Sequence, residues 1–181
     1  MKKTTPHTIY LKDYIPPVYF IENVNLTFEL EEALTTVHAH MSVVRNAAAA
    51  AKTPLVLNGE KLELVSVAVN EVTLSAGDYR VDDESLTIKK VPAAFTLDVV
   101  TRIKPNQNTE LAGLYVSRGI FCTQCEPHGF RRMTYFIDRP DVMAKFTTTL
   151  IADKTHYPVL LSNGNPIKRG ELNNNRHYVK W

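Results

Sequence analysis

The sequence predicts a mainly β domain built from antiparallel strands. Two observations on the 181-residue chain support this class: apolar and polar residues alternate over many short segments, and turn-forming residues separate these segments. Alternation places one set of side chains on a buried face of a strand and the other set on the opposite face. Short strands with a turn every 8–12 residues or so are typical of an antiparallel all-β domain.

The predicted strands follow one another along most of the chain. Their alternating residues are Leu26/Phe28/Leu30, Val37/Ala39/Met41/Val43, Leu62/Leu64, Val67/Val69, Leu86/Ile88, Phe95/Leu97/Val99 and Thr147/Thr149/Ile151. The turn signals between them are Glu31-Glu32, Asn58-Gly59, Asn70-Glu71, Ser75 to Asp78, Asp82-Asp83 and Asn163-Gly164. The segment from Glu171 to Trp181 is typical of a turn followed by one more strand, so the chain has the appearance of a fragment cut near a strand end.

Two segments interrupt the alternation. The run Ala47 to Ala51 favours helix by composition but is too short for an independent one, so it predicts a loop or a single helical turn in a long hairpin. In the segment Asp138 to Lys145, Pro140 suits the first position of a helix and Asp141 suits its positive end. This second segment predicts one or two short helical turns.

Composition excludes several classes of protein. Lys and Arg total 21 against 19 Asp and Glu, and the net charge of +2 argues against nucleic acid or an anionic membrane as the dominant partner. Two cysteines are too few for a disulfide-rich secreted scaffold. The chain starts with polar residues and has no apolar stretch near ~18 residues, so we expect neither a leader nor a membrane span. The expected location is the cytoplasm.

The pair Cys122 and Cys125 forms a C-x-x-C motif with three interpretations. A zinc knuckle would need two further ligands, of which His128 could supply one. A redox pair would favour the start of a helix in a βαβ unit, whereas the surroundings are β with Pro127 close behind. The residues alone favour the third interpretation, two buried thiols that pack beside an extended loop.

Gln124 and Glu126 lie two residues apart and would point to the same side of an extended segment. A carboxylate and an amide oxygen so placed could bind an ammonium group. The alternative, which the residues alone favour, is a structural ion pair of Glu126 with Arg131 or Arg132.

The histidines carry weaker signals. His38 and His40 share one face of a strand and could chelate a metal, but a solvated polar face is the commoner arrangement. His7, His156 and His177 are isolated. The sequence has no His-Glu-x-x-His, no Gly-x-Ser-x-Gly and no phosphate-binding glycine loop, so it lacks a complete catalytic constellation.

A resemblance adds to this interpretation. The segment Cys-Thr-Gln-Cys-Glu-Pro-His-Gly-Phe-Arg-Arg at 122–132, and Thr-Tyr-Phe-Ile-Asp-Arg-Pro-Asp-Val at 134–142, resemble the N-terminal domain of the bacterial aminopeptidase N family. These enzymes are gluzincin zinc metallo-aminopeptidases. The similarity extends through 146–154 and 157–165, and back to 12–17 and 25–30.

The resemblance implies that residues 1–181 are the N-terminal β domain of a larger aminopeptidase, saddle-shaped and packed against its own catalytic domain. It implies that Glu126 anchors the α-ammonium of peptides with a free N-terminus, and that Gln124 lines the pocket for the first residue. The family's zinc ligands, a His-Glu-x-x-His pair and a distant Glu, are absent from this chain. The expected fragment therefore recognises substrate without hydrolysing it.

Two rival hypotheses remain at this point. One is a non-catalytic β-sheet interaction module in which Cys122 and Cys125 bind a metal or respond to redox state. The other is a relative that keeps this fold without an active site.

Overall fold

The computed structural model describes Thr8 and residues 10–181. Within this part of the chain, the regular structure consists of thirteen strands and three single-turn 3-10 helices. The strands are β1 Tyr19–Glu29, β2 Thr35–Arg45, β3 Leu55–Asn58, β4 Glu63–Val69, β5 Val72–Thr73, β6 Tyr79–Val81, β7 Ser85–Ile88, β8 Ala94–Ile103, β9 Gly113–Ser117, β10 Ile120–Gln124, β11 Lys145–Asp153, β12 Lys168–Leu172 and β13 Arg176–Lys180. The 3-10 helices are Leu11–Asp13, Pro105–Gln107 and Phe130–Arg132. The prediction of a mainly β domain is confirmed.

The largest sheet among the described residues has eight strands in the order β12-β13-β11-β1-β2-β8-β4-β5. Its neighbours run antiparallel except that β11 pairs with β1 in parallel, with Leu26 opposite Thr148 and Phe28 opposite Leu150. A two-stranded sheet joins β9 to β10, and a three-stranded sheet has the order β3-β7-β6. The parallel pair brings a late segment of the chain against its first strand.

The core lies on one face of the large sheet. In β2 the residues Val37, Ala39, Met41 and Val43 are almost wholly buried, and the residues between them are more exposed. The same alternation buries Leu97 and Val99 of β8, so the hydrophobic spacing correctly predicted the inward face of these strands.

Two strand predictions need correction. The segments around Leu64 and Val67 form the single strand β4, with a register shift between Leu64 and Ser66. In β11 the inward set is Leu150 and Ala152 rather than Thr149 and Ile151, because the parallel register aligns Leu150 with Phe28 of the core face.

One predicted turn and one predicted loop are confirmed. Asn70 and Glu71 both have positive φ and connect β4 to β5, as in the tight turn of a hairpin. Residues 47–51 form a loop of turns and bends, one of the two forms expected.

None of the helices among the described residues is long and apolar enough to cross a membrane.

The helical turns expected over Asp138–Lys145 are wrong. This segment contains one turn, closed by Val142 N–H donating to the Arg139 carbonyl at 3.1 Å, before β11 begins. The Asp141 carboxylate accepts hydrogen bonds from the Arg139 side chain at 2.7 and 2.9 Å and from the Tyr14 hydroxyl at 2.9 Å. Asp141 therefore pairs with other side chains, and tertiary contacts decide the conformation.

Candidate functional site

The sequence-predicted pair lies where β10 ends and a tight loop begins. Gln124 is the last residue of β10 and lies opposite Gly113 of β9. The loop closes where Gly129 N–H donates to the Cys125 carbonyl at 2.6 Å, and the 3-10 helix Phe130–Arg132 follows at once. The Glu126–Pro127 peptide bond in this loop is cis. Strand, loop and helix together present residues 124–126 at the surface.

Gln124 and Glu126 are both exposed. The Gln124 side-chain amide donates to the Glu126 main-chain carbonyl at 3.2 Å. This bond uses an N–H of the carboxamide and leaves its oxygen as an acceptor. Within the described part of the chain, the Glu126 carboxylate takes part in no ion pair.

The two arginines that follow the loop have other partners. Arg131 Nε donates to Asp138 Oδ2 at 2.8 Å. Arg132 Nη2 lies 3.2 Å from Glu60 Oε2 and also pairs with Glu110. The structural ion pair considered for Glu126 is therefore not formed with either arginine.

Glu126 borders a groove of about 580 Å³. Its lining mixes apolar and polar side chains from β1, β11, the segment after the loop and the end of the chain; the apolar ones include Leu26, Phe28, Phe130, Phe146, Leu150 and Trp181. The rings of Phe130 and Phe146 meet edge to face with centroids 5.7 Å apart. The groove therefore combines apolar surface with the carboxylate of Glu126 and the carboxamides of Gln124 and Asn163. The sequence did not point to the groove, because its walls come from strands far apart in the chain.

The two cysteines are free and partly buried. Burial, reinforced by the charges of Asp138 and Glu126, raises the pKa of the Cys125 thiol, which disfavours the thiolate that binds metals and attacks disulfides. Cys122 Sγ lies 3.7 Å from the Ile120 carbonyl oxygen. Across the described residues, no three His, Cys, Asp or Glu side chains form a group that could hold a metal ion. The described residues thus offer no group that could hold the zinc of the family, whose ligands the resemblance implies to lie outside this chain.

The histidines that could have chelated a metal bind carboxylates instead. His40 Nδ1 lies 2.6 Å from Asp98, and His38 Nε2 lies 3.4 Å from Glu29. His156 pairs with Asp153, and His177 Nε2 lies 2.7 Å from the Tyr157 carbonyl oxygen. His128 in the loop is exposed, and His7 lies outside the described residues.

Comparison with known proteins assigns the chain to a protein family. An M1 zinc metallopeptidase from Deinococcus radiodurans superposes with a TM-score of 0.72 at 15% identity, covering 92% of this chain and 39% of that one, so the likeness concerns the fold alone. Residues 17–181 match the family model of the Peptidase M1 N-terminal domain, and the chain belongs to this family.

Individual relatives are closer in sequence. The chain is 48% identical to aminopeptidase N of Escherichia coli strain K12 over 97% of its own length and 20% of the relative. It is 47% identical to aminopeptidase N of Caulobacter vibrioides over 100% of its length and 21% of the relative. Among solved structures, a Legionella pneumophila aminopeptidase A in complex with aspartic acid matches with a TM-score of 0.87 and 36% identity, covering 94% of this chain and 20% of that one. The chain thus spans about a fifth of the length of these relatives.

Proposed function

We propose that this chain is the N-terminal substrate-recognition domain of a zinc-dependent aminopeptidase, in which Glu126 anchors the α-ammonium of the peptide. Family membership and relatives named aminopeptidase N support the class of enzyme. The observation that carries the role of Glu126 is its exposed carboxylate, which borders a groove lined by apolar and polar side chains and has no ion pair among the described residues.

The chemistry of the pair suits this role. An exopeptidase must recognise a chain by its charged end, and a carboxylate supplies both the opposite charge and acceptors for the N–H groups of an ammonium. Gln124 adds an amide oxygen beside it and lines the pocket for the first residue. The apolar side chains of the groove can pack against substrate side chains of different shapes, which agrees with an enzyme of broad tolerance.

The zinc site and the catalytic groups would belong to the rest of the full-length parent protein. We place the zinc ligands and the catalytic domain there, in cis to this chain, and expect the whole enzyme in the cytoplasm. The bound zinc would polarise the scissile carbonyl and activate water. The 181-residue chain alone would contribute recognition of peptides with a free N-terminus, and no hydrolysis.

Substitution of Glu126 in the full-length parent enzyme tests the proposal. Glu126→Ala should raise KM and lower kcat/KM for an aminoacyl anilide by about tenfold or more, because a charge-assisted contact is lost. Glu126→Gln keeps the shape of the side chain and removes only its charge. A similar loss in this variant would assign the effect to ammonium binding.

The matched control is Glu71→Gln, which makes the same chemical change in the exposed turn between β4 and β5, at the edge of the large sheet away from β1 and β11. Its kinetics should equal those of the parent enzyme. Unchanged kcat/KM in both Glu126 variants would refute the anchoring role.

A further inference from the structure

One carboxylate outside the loop bridges both arginines that follow it. Glu60 Oε1 lies 3.6 Å from Arg131 Nη1, and Glu60 Oε2 lies 3.2 Å from Arg132 Nη2. The Glu60 main-chain N–H also donates to the Arg131 carbonyl at 3.0 Å. Glu60 thus holds the 3-10 helix Phe130–Arg132 through two side chains and one main-chain bond.

These contacts are shielded from solvent. The side chains of Arg131 and Arg132 are each only 15% exposed, and that of Glu60 is 31% exposed. Ion pairs in such surroundings are screened less by water and salt than pairs on the surface. The bridge can therefore restrict the position of the helix in a way that an exposed pair would not.

The helix in turn packs against the loop that carries Glu126. Arg132 N–H donates to the Gly129 carbonyl at 3.1 Å. A Cβ atom placed on Gly113 would lie 2.7 Å from Arg132 Cβ and 3.1 Å from the Gly129 carbonyl oxygen. Arg132, Gly113 and Gly129 are therefore in close contact, and Gly113 is the β-sheet partner of Gln124. A displacement of Arg132 would reach the loop directly.

We propose that Glu60 is a positioning residue for ammonium recognition, which fixes the Glu126 loop through Arg131 and Arg132. The inference rests on the proposed function of Glu126. Glu60 itself lies in the connection between β3 and β4 and need not touch the substrate. The Glu60 carboxylate determines the position of the loop, and Glu126 contacts the substrate ammonium.

A double-mutant cycle in the full-length parent enzyme tests this inference. Glu60→Gln should raise KM for an aminoacyl anilide about fivefold and leave kcat within about twofold, because it misplaces a binding group and spares the catalytic domain. In the Glu126→Gln background the same substitution should add almost nothing, since the group that it positions has already lost its charge. Arg132→Met interrupts the same link from its other end and should behave in the same way.

The control is Glu63→Gln, which removes a carboxylate 3.3 Å from Arg102 in an ion pair that has no contact with the loop. It should leave KM unchanged. Melting temperatures of all variants accompany the kinetics.

The possible outcomes separate the two proposals. If Glu126→Gln raises KM while Glu60→Gln and Arg132→Met do not, the positioning role is wrong and the anchoring role stands. If Glu126→Gln has no effect, the anchoring role itself fails. If the effects of Glu60→Gln and Glu126→Gln simply multiply, or if kcat falls together with the melting temperature, Glu60 acts on the fold in general and the inference is overturned.

Discussion

Gly129 shows at the scale of one residue why the loop can close so tightly. Its φ of −87° is available to any residue, so backbone conformation does not require a glycine here. A Cβ atom at this position would overlap the Gln124 carbonyl oxygen and lie 2.7 Å from Cys125 Cα and 2.9 Å from Gly113 N. The absence of a side chain therefore allows the loop to lie against the end of β10.

We expect Gly129→Ala to destabilise the protein by about 1–3 kcal/mol, because main-chain atoms must move to admit the methyl group. It should also raise KM of the full-length enzyme, since the moving atoms belong to residues 124 and 125. Chemical denaturation and peptide kinetics measure the two effects. Gly77→Ala is the matched control, because a Cβ there would meet Ser75 Oγ at a comfortable 3.8 Å. A Gly129→Ala protein as stable and active as this control would contradict the expectation.

Residues close in sequence could be paired without the structure, and distant ones could not. Gln124 and Glu126 are two residues apart, so the sequence alone indicates that they are near each other, and the Gln124 side chain does donate to the Glu126 main-chain carbonyl. Glu60 has no such signal. The main-chain bridge between Asn58 and Phe136 and the bond from Glu60 N–H to the Arg131 carbonyl hold its segment beside the two arginines, and no local pattern encodes these contacts.

The same contrast holds at the scale of elements. Strands β1, β2 and β8 were predictable, because burial on one face imposes a strict period of two on the sequence. The parallel pairing of β11 with β1 was not, since it joins segments separated by most of the chain. The helical turns expected at Asp138–Lys145 failed for a related reason, as the Asp141 carboxylate binds Arg139 and Tyr14 instead.

Asp153, the last residue of β11, connects this strand to two turns. Its Oδ1 accepts hydrogen bonds from the main-chain N–H groups of His156 at 2.8 Å and Thr155 at 2.9 Å. Its Oδ2 accepts one from the Asn175 side chain at 3.1 Å, in the turn between β12 and β13. The His156 hydrogen bonds foremost, with those of Asn175 and Thr155, lower the pKa of the Asp153 carboxyl to about 2.

This lowered pKa predicts an acid-dependent contribution to stability. A carboxyl that binds protons more weakly in the folded state stabilises it at pH values above its unfolded pKa of 3.8 and loses this contribution as the pH falls through about 2. The Asp153→Asn variant should therefore be less stable than the unsubstituted protein at pH 6. The difference in stability should shrink as the pH falls from 4 toward 2. Denaturant titrations of both proteins at several pH values measure it. A difference that stays constant over this range would refute the assignment.

At the scale of the whole molecule, the distribution of charge bears on the proposed role of this chain. The net charge of +2 leaves no strong overall field, so the proposed attraction of a substrate ammonium would depend on a local group, for which we propose Glu126. Glu126 borders the groove that is lined in part by strands β1 and β11. Among the described residues, no cluster of ligands accompanies it.

The last prediction concerns the 181-residue chain by itself. Once circular dichroism shows a folded β protein, it should release no product from an aminoacyl anilide, with or without added zinc, under conditions in which the full-length enzyme is active. The reason is that we assign hydrolysis to zinc held by the rest of the parent protein. Zinc-dependent hydrolysis by the isolated chain that disappears in Cys122→Ser would contradict this division and favour a metal site at Cys122 and Cys125. Stoichiometric zinc in the purified chain, lost in the same variant, would favour that rival even without turnover.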